Sequence, residues 1–389
     1  MYLAHLKLKN FRCFKDLELS PPPGITIFVG GNAQGKTTLL EAIYLLAIAK
    51  AFRAENEREV VNWQEVMNVG QAFVDGVISN SGESTRVIVG YQVVGDPQTD
   101  RTELKPHNLR YAVRKEIRVG GVRRTASGLV GLLNVVLFSA NDIDLIQGSP
   151  ATRRRYLDIL ISQADSLYLK ALQRYRRVLH QRNQLLRLIH AKRAGGDELE
   201  FWNRELAREG AFIIQRRCQV MGIISATGRQ ILLELTGDRE ELDLIYGSNV
   251  QLDEGIQIAE EAFLVALESS RQKDFLLGST SVGPHRDDFK ILVNGRNMDT
   301  FSSRGQARTL GLTLRLAEAA YLKAFKGEPI VLLDDVLSEL DFERRHLVLE
   351  RVRSYDQIFL TATEIGPFQK NFLSESALCE INAGSAKWI

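Results

Sequence analysis

Apolar and polar positions alternate over residues 2–8 and 17–19, with Tyr2, Leu3, His5, Leu6, Leu8 and then Leu17 and Leu19 marking strand periodicity. Pro21-Pro22-Pro23-Gly24 breaks the chain. Ile25-Thr26-Ile27-Phe28-Val29 then reads as a buried strand, and Thr38 through Leu46 as a helix with an apolar face. Segments 72–78, 86–93 and 115–122 read as strands of an antiparallel sheet. Turn signals stand at Asn80-Ser81-Gly82, Gly95-Asp96-Pro97 and Gly120-Gly121. Val135 to Phe138 is a further short apolar strand.

The period changes near Gly148-Ser149-Pro150. From 151 to 225 the pattern is helical, and Leu172, Tyr175, Leu179, Arg182, Leu186 and Ile189 recur at alternating three- and four-residue spacing. Arg182 is the polar break in that coiled-coil-like seam. Gly195-Gly196 is the expected turn, and Trp202 to Ile224 the antiparallel return. Apolar-plus-acidic stretches near 230–246 and 255–268 complete the insertion. Strand character returns at Phe289 to Val293, followed by the hairpin signal Asn294-Gly295. Phe301 to Thr309 runs into an amphipathic helix; Ile330 to Leu333 and Gln357 to Thr363 are core strands. The pattern predicts an α/β head formed by 1–147 and 275–389, with a mostly helical arm lobe, 148–274, inserted.

Composition changes this picture little. The chain has 389 residues, 44% hydrophobic and 25% charged, ordinary for a globular protein. A net charge of +2 makes no global argument for nucleic acid. Cys13, Cys218 and Cys379 lack metal or redox spacing and read as free thiols. The N terminus has no signal-like apolar core, and no apolar run reaches membrane-spanning length, so a cytoplasmic protein without a membrane partner is expected.

Candidate chemistry changes the picture more. Gly30-Gly31-Asn32-Ala33-Gln34-Gly35-Lys36-Thr37 lies between a strand and a helix, the context in which G-x-x-x-x-G-K-[ST] means a phosphate-binding loop. Inward-turned backbone N–H groups and the helix dipole receive phosphates there. Lys36 is expected to reach the β- and γ-phosphates of ATP, Thr37 to hold Mg²⁺, and Thr38 to join the loop at the nucleotide. Asp334 is the expected second magnesium residue, and Asp335 the carboxylate that orients or deprotonates the attacking water. Helix capping is the alternative role for either acid. Ser303, Gly305 and Gln306 at the next helix start form an anion site or an ordinary cap.

These blocks together resemble the RecF family of bacterial recombinational-repair ATPases, akin to SMC-type heads without their long coiled coil. Leu8-Lys9-Asn10-Phe11-Arg12 is similar to the family's first strand and phosphate-side arginine, and Lys50-Ala51-Phe52-Arg53 to its basic segment. Phe138-Ser139 and the run from Gly148 to Asp158 resemble its entry to the arm. The long block Ser281-Val282-Gly283-Pro284-His285-Arg286-Asp287-Asp288 identifies the family best, and Ser338-Glu339-Leu340-Asp341 matches the D-loop of the ATP-binding-cassette (ABC) class. The resemblance implies an ABC/SMC-type head. Two copies would sandwich ATP between one P-loop and the signature Ser303–Gln306 of the other. It also implies a slow DNA-stimulated ATPase acting on double-stranded and gapped DNA with RecO, RecR and RecA. The chain departs from cassette ATPases at three places: no glutamine stands at Asn141-Asp142, Thr361-Ala362-Thr363 replaces the switch histidine, and Arg304 replaces a small or amide signature residue.

Between Arg153 and Arg193 stand eleven Lys or Arg against two acids, a basic face suited to duplex phosphates. Arg153, Arg154, Arg155, Arg174, Arg176 and Arg177 are the candidate DNA contacts; a solvated helix face is the alternative. Other functional classes are a transport ATPase, against which the long insertion argues, an SMC-class chromosome-organising head, and a nucleotide-gated scaffold.

Overall fold

The structure, a computed structural model, describes residues 1–66, 70–80, 82–98, 110–251, 260–366 and 368–389, the side chains of 95–98, 110 and 339 excepted. The chain begins with β1 (Tyr2–Phe11), β2 (Phe14–Leu19), β3 (Gly24–Val29) and α1 (Lys36–Ile48). Next come β4 (Gln71–Asn80), β5 (Glu83–Gln98), β6 (Arg110–Val119), β7 (Val122–Arg124) and β8 (Val135–Ser139). Helices α2 (Ile143–Gln147), α3 (Pro150–Ala164), α4 (Ser166–His190) and α5 (Leu199–Thr236) follow. After β9 (Leu242–Gly247) come α6 (Glu260–Ser269), α7 (Arg271–Leu277), β10 (Asp288–Val293), β11 (Arg296–Asn297), α8 (Met298–Phe301) and α9 (Arg304–Phe325). The chain closes with β12 (Ile330–Asp334), α10 (Phe342–Val352), β13 (Gln357–Ala362), α11 (Lys370–Ser374), β14 (Ser376–Asn382) and β15 (Ser385–Trp388).

Two compact units divide it, one of residues Met1–Ala140 with Leu322–Ile389, the other of Asn141–Tyr321. In the first unit, β2-β1-β4-β5-β6-β7 is an antiparallel sheet, and β15-β14-β3-β13-β12-β8 a sheet whose strands other than β15 run parallel. Helix α1 shares one core with strands of both sheets. Leu39, Leu40, Ile43 and Leu46 are all fully buried, so α1 is apolar nearly all round, as an interior helix must be. Leu3 and Leu6 both face inward although three residues apart, because the register shifts between Leu3 and His5.

One turn expectation and one strand bound are corrected, and the Gly120-Gly121 turn stands. β5 runs through Gly95-Asp96-Pro97, where its register against β6 shifts between Val94↔Ala112 and Gln98↔Arg110, so this stretch is an irregularity within the strand and not a turn. The expected strand 115–122 is cut at Gly120-Gly121, where Val119 pairs with Val122 across the turn. Ser81 lies outside the described residues, although Asn80 pairs with Glu83 on either side of it.

In the second unit α4 and α5 form the expected antiparallel pair. The seam residues Leu172, Tyr175 and Leu186 are buried, and so is Arg182. Arg182 donates from Nη1 to Asp274 Oδ2 (2.8 Å) and Thr280 Oγ1 (2.7 Å), and from Nε to Asn203 Oδ1 (2.8 Å). The polar break is therefore a paired, hydrogen-bonded charge, the form in which a guanidinium is tolerated inside. The stretch near 230–246 ends in β9, which pairs antiparallel with β10 beyond residue 274; contacts group the chain up to Tyr321 with this unit. Of the expected stretch 255–268, residues 255–259 lie outside the described residues. Cys13, Cys218 and Cys379 are free thiols. Among the described residues no helix is long and apolar enough to cross a membrane.

Candidate nucleotide site

The loop Gly30–Gly35 joins the end of β3 to the start of α1. Gly30 passes so close to β14 that a Cβ there would lie 2.2 Å from the Ile381 carbonyl oxygen. Gly35 has φ +114°, and a Cβ would lie 2.9 Å from the Phe14 ring, so this turn needs glycine twice over. Lys36 folds back and donates from Nζ to Gly30 O (2.6 Å) and Gly31 O (2.7 Å). Burial pulls its pKa down, against the charges of Asp335 and Asp334.

Strands β12 and β13, parallel and in register at Asp334↔Thr361, bring the acidic pair to this loop. Thr37 donates from Oγ1 to Asp334 Oδ1 at 2.7 Å, and Thr361 donates to the same oxygen at 3.1 Å. Burial raises the Asp334 pKa, and these two hydroxyls oppose the shift. Asp335 is exposed and left-handed, with φ +53°. Its N–H donates to Thr361 Oγ1 at 2.9 Å, and its carbonyl accepts from Ser338 Oγ at 2.8 Å. Its side chain makes no cap bond to the helical turn Val336–Glu339, so capping does not account for it. Thr37 and Asp334 are hard oxygen donors in contact at the start of α1, a donor set that suits Mg²⁺.

A cavity of about 1230 Å³ opens over the loop, lined by Asn32 to Thr38 and by Asp335 and Thr361. Arg12 lines it too, but its guanidinium is held in a bidentate pair by the buried Glu41, at 2.8 Å on each side. Trp63, Tyr111, Ala383 and Gly384 also line it, and sequence reading missed all four. The turn between β14 and β15 clasps the loop: Ala383 N–H donates to Gln34 Oε1 (2.6 Å) and Gly384 N–H to Gln34 O (3.4 Å). Gln34 is thus turned onto the C-terminal hairpin. No local pattern signals this, because the contact depends on β14 pairing with β3.

The signature residues lie in the second unit. Ser303 and Gly305 are exposed, and Gln306 is half-buried. Ser303 Oγ accepts from Gln306 N–H (3.3 Å) while Gln306 Oε1 accepts from Ser303 N–H (3.2 Å), a reciprocal cap at the start of α9. Gln306 Nε2 donates onward to Glu240 Oε1 at 2.9 Å.

The basic arm needs a correction. Arg153 is buried and bidentate to Asp288, at 2.8 and 2.7 Å, so it is closed to a phosphate. Arg154 donates to the Asp287 carbonyl. Arg174 and Arg176 are exposed but pair with Glu209 (3.5 Å) and Asp158 (3.0 Å). Arg155 and Arg177 are exposed. The block 283–288 is a structural hub. His285 bonds Tyr175 OH (2.7 Å) and Thr280 O (3.1 Å), Asp287 accepts from Tyr246 OH (2.8 Å), and Pro284 O accepts from Arg217 (2.7 Å). Burial holds His285 neutral, with its pKa lowered to about 4.

A P-loop between a parallel strand and an interior helix, with an acidic pair at the end of a parallel strand one place removed across β13, defines a P-loop ATPase head of the ABC/SMC type. Residues 2–371 match the family described as the RecF/RecN/SMC N terminal domain. The chain belongs to the RecF family: it is 37% identical over 389 residues to the DNA replication and repair protein RecF of Herpetosiphon aurantiacus, covering 99% of each chain. RecF of Heliobacterium modesticaldum is 37% identical over 386 residues, covering 99% of this chain and 98% of that one. A solved structure of the recombination mediator protein RecF with ATP, in the RecFOR pathway, is similar at a TM-score of 0.86 and 32% identity, covering 100% of this chain and 97% of that one. The Smc head domain of Pyrococcus furiosus, at a TM-score of 0.53 and 18% identity over 100% of this chain and 96% of that one, shares the fold.

Proposed function

We propose that this chain is an ATP-dependent, DNA-binding protein of recombinational repair, acting in the cytoplasm as a nucleotide-gated clamp. The observation that carries this reading is the convergence of Thr37, Asp334 and Thr361 beneath the P-loop, in a chain related along its whole length to RecF. The P-loop N–H groups and Lys36 receive the triphosphate, with Arg12 beside them once it leaves Glu41. Thr37 and Asp334 hold Mg²⁺, whose charge when bound offsets that of the phosphates. Asp335 orients the attacking water. Ser303, Gly305 and Gln306 of a second copy complete the site in trans, so ATP drives homodimerisation. The ATPase head comprises 1–147 and 275–389, and the inserted arm lobe 148–274.

The dimer holds double-stranded DNA at gaps and single-strand/double-strand junctions. There it helps RecO and RecR load RecA, and slow DNA-stimulated hydrolysis releases it. Arg155 and Arg177, with Arg154, Arg174 and Arg176 at lower availability, supply arm contacts to the phosphate backbone. A recombinase-loading assay on gapped DNA tests the reading. ATP should support loading with turnover, while a non-hydrolysable analogue should hold the protein on DNA without release. Equal DNA retention with and without nucleotide would contradict it.

A further inference from the structure

Asp335 carries a conformational problem that its own side chain does not solve. A non-glycine residue at φ +53° is disfavoured, and such a residue persists only where its surroundings over-determine it. Two side chains do so. Thr361 Oγ1 accepts the Asp335 N–H at 2.9 Å, and Ser338 Oγ donates to the Asp335 carbonyl at 2.8 Å. The Thr361 hydroxyl still has its proton, which it gives to Asp334 Oδ1 at 3.1 Å. One buried hydroxyl therefore grips the backbone of the second acid and the carboxylate of the first.

We propose that Thr361 is a positioning residue for ATP hydrolysis: its hydroxyl, with that of Ser338, holds Asp335 in its left-handed conformation and so sets where the carboxylate stands. This rests on the ATPase reading above and adds residues to it. The Thr361 hydroxyl has three partners in the protein itself, the Asp335 N–H, Asp334 Oδ1 and, at 3.4 Å, the Leu333 carbonyl, so its role is exerted through the strand end that carries both acids. Without it the Asp335 backbone can relax toward ordinary φ, and the carboxylate moves with it. Nucleotide binding, carried by the loop and Lys36, does not depend on that carboxylate.

The test is Thr361→Val, which keeps the shape and removes the hydroxyl, beside Thr361→Ser, which keeps the hydroxyl. Thr361→Val should lower kcat by about 10- to 100-fold. Thr361 lines the cavity and bonds Asp334, so the discriminating readout is a difference: the Kd for ATP by equilibrium binding should change far less than kcat, and Thr361→Ser should restore turnover. A wild-type kcat in folded Thr361→Val overturns the inference. So does an equal loss of ATP affinity, or a failure of Thr361→Ser to restore turnover. If Thr361→Val does not fold, exposed Ser338→Ala decides: a several-fold lower kcat at unchanged KM supports the inference, and an unchanged kcat overturns it. Absence of hydrolysis in the wild type would instead defeat the ATPase reading itself.

Discussion

At the residue scale, chemistry is concentrated where one side chain serves two partners. Lys36 donates to Gly30 O and Gly31 O, so the loop supports the ammonium as much as the ammonium serves the loop. A guanidinium is planar and cannot reproduce two convergent point contacts. Lys36→Arg should therefore impair hydrolysis more than nucleotide binding. Equilibrium ATP titration beside steady-state turnover checks this; equal losses in both would contradict it. Lys36, Thr37 and the acidic pair are legible in the sequence because strand, loop and helix are local. The contacts of Thr361, Glu41 and the 383–384 turn are not, since they form only when β12 lies beside β13, when α1 packs against the β1–β2 turn, and when β14 lies beside β3. The same limit applies to Arg153, whose charge counts toward a basic run in sequence and is spent on Asp288 in the fold.

At the element scale, the helical unit is stitched by buried polar groups. Arg182 and Asp274 are both fully buried and bonded to each other. Arg182→Leu leaves Asp274 without its counter-charge and should cost about 3–5 kcal/mol, measured by urea unfolding. The double variant with Asp274→Asn should recover part of that loss. His285 adds a pH dependence. Its pKa falls from 6.5 to about 4 on folding, so between those values the unfolded chain binds more protons and stability rises with pH. The contribution is fully present above about pH 6.5 and is lost as pH falls toward 4. Buried Asp287, raised by its own burial, titrates with the opposite sign, so the useful quantity is a difference. Wild type minus His285→Gln should gain up to about 3 kcal/mol of stability between pH 4 and 6.5; a flat difference would contradict the assignment. The heptad-like spacing of α4 is readable in advance, whereas the partner of its arginine is contributed from about ninety residues away and is not.

At the scale of the whole molecule, the P-loop and the signature lie in different compact units. Each unit also has its own internal reason for its site residues: Ser303 and Gln306 cap α9 whether or not they meet a phosphate. The composite site proposed above needs two copies of the chain. Asp335, one methylene shorter than a glutamate, stands back by about 1.5 Å, and misplacement of that order can cost ~100-fold in rate. Single-turnover hydrolysis on the dimer should accordingly be slow, and a rate like that of a fast motor ATPase would contradict the assignment.

The most direct measurement is light scattering of wild type and Ser303→Arg, with and without ATP, followed by DNA binding on the same samples. The wild type should dimerise and hold DNA when ATP is present, while Ser303→Arg should remain monomeric and bind DNA weakly. A wild type that stays monomeric in ATP, or a Ser303→Arg variant that dimerises and binds DNA normally, would contradict the composite site.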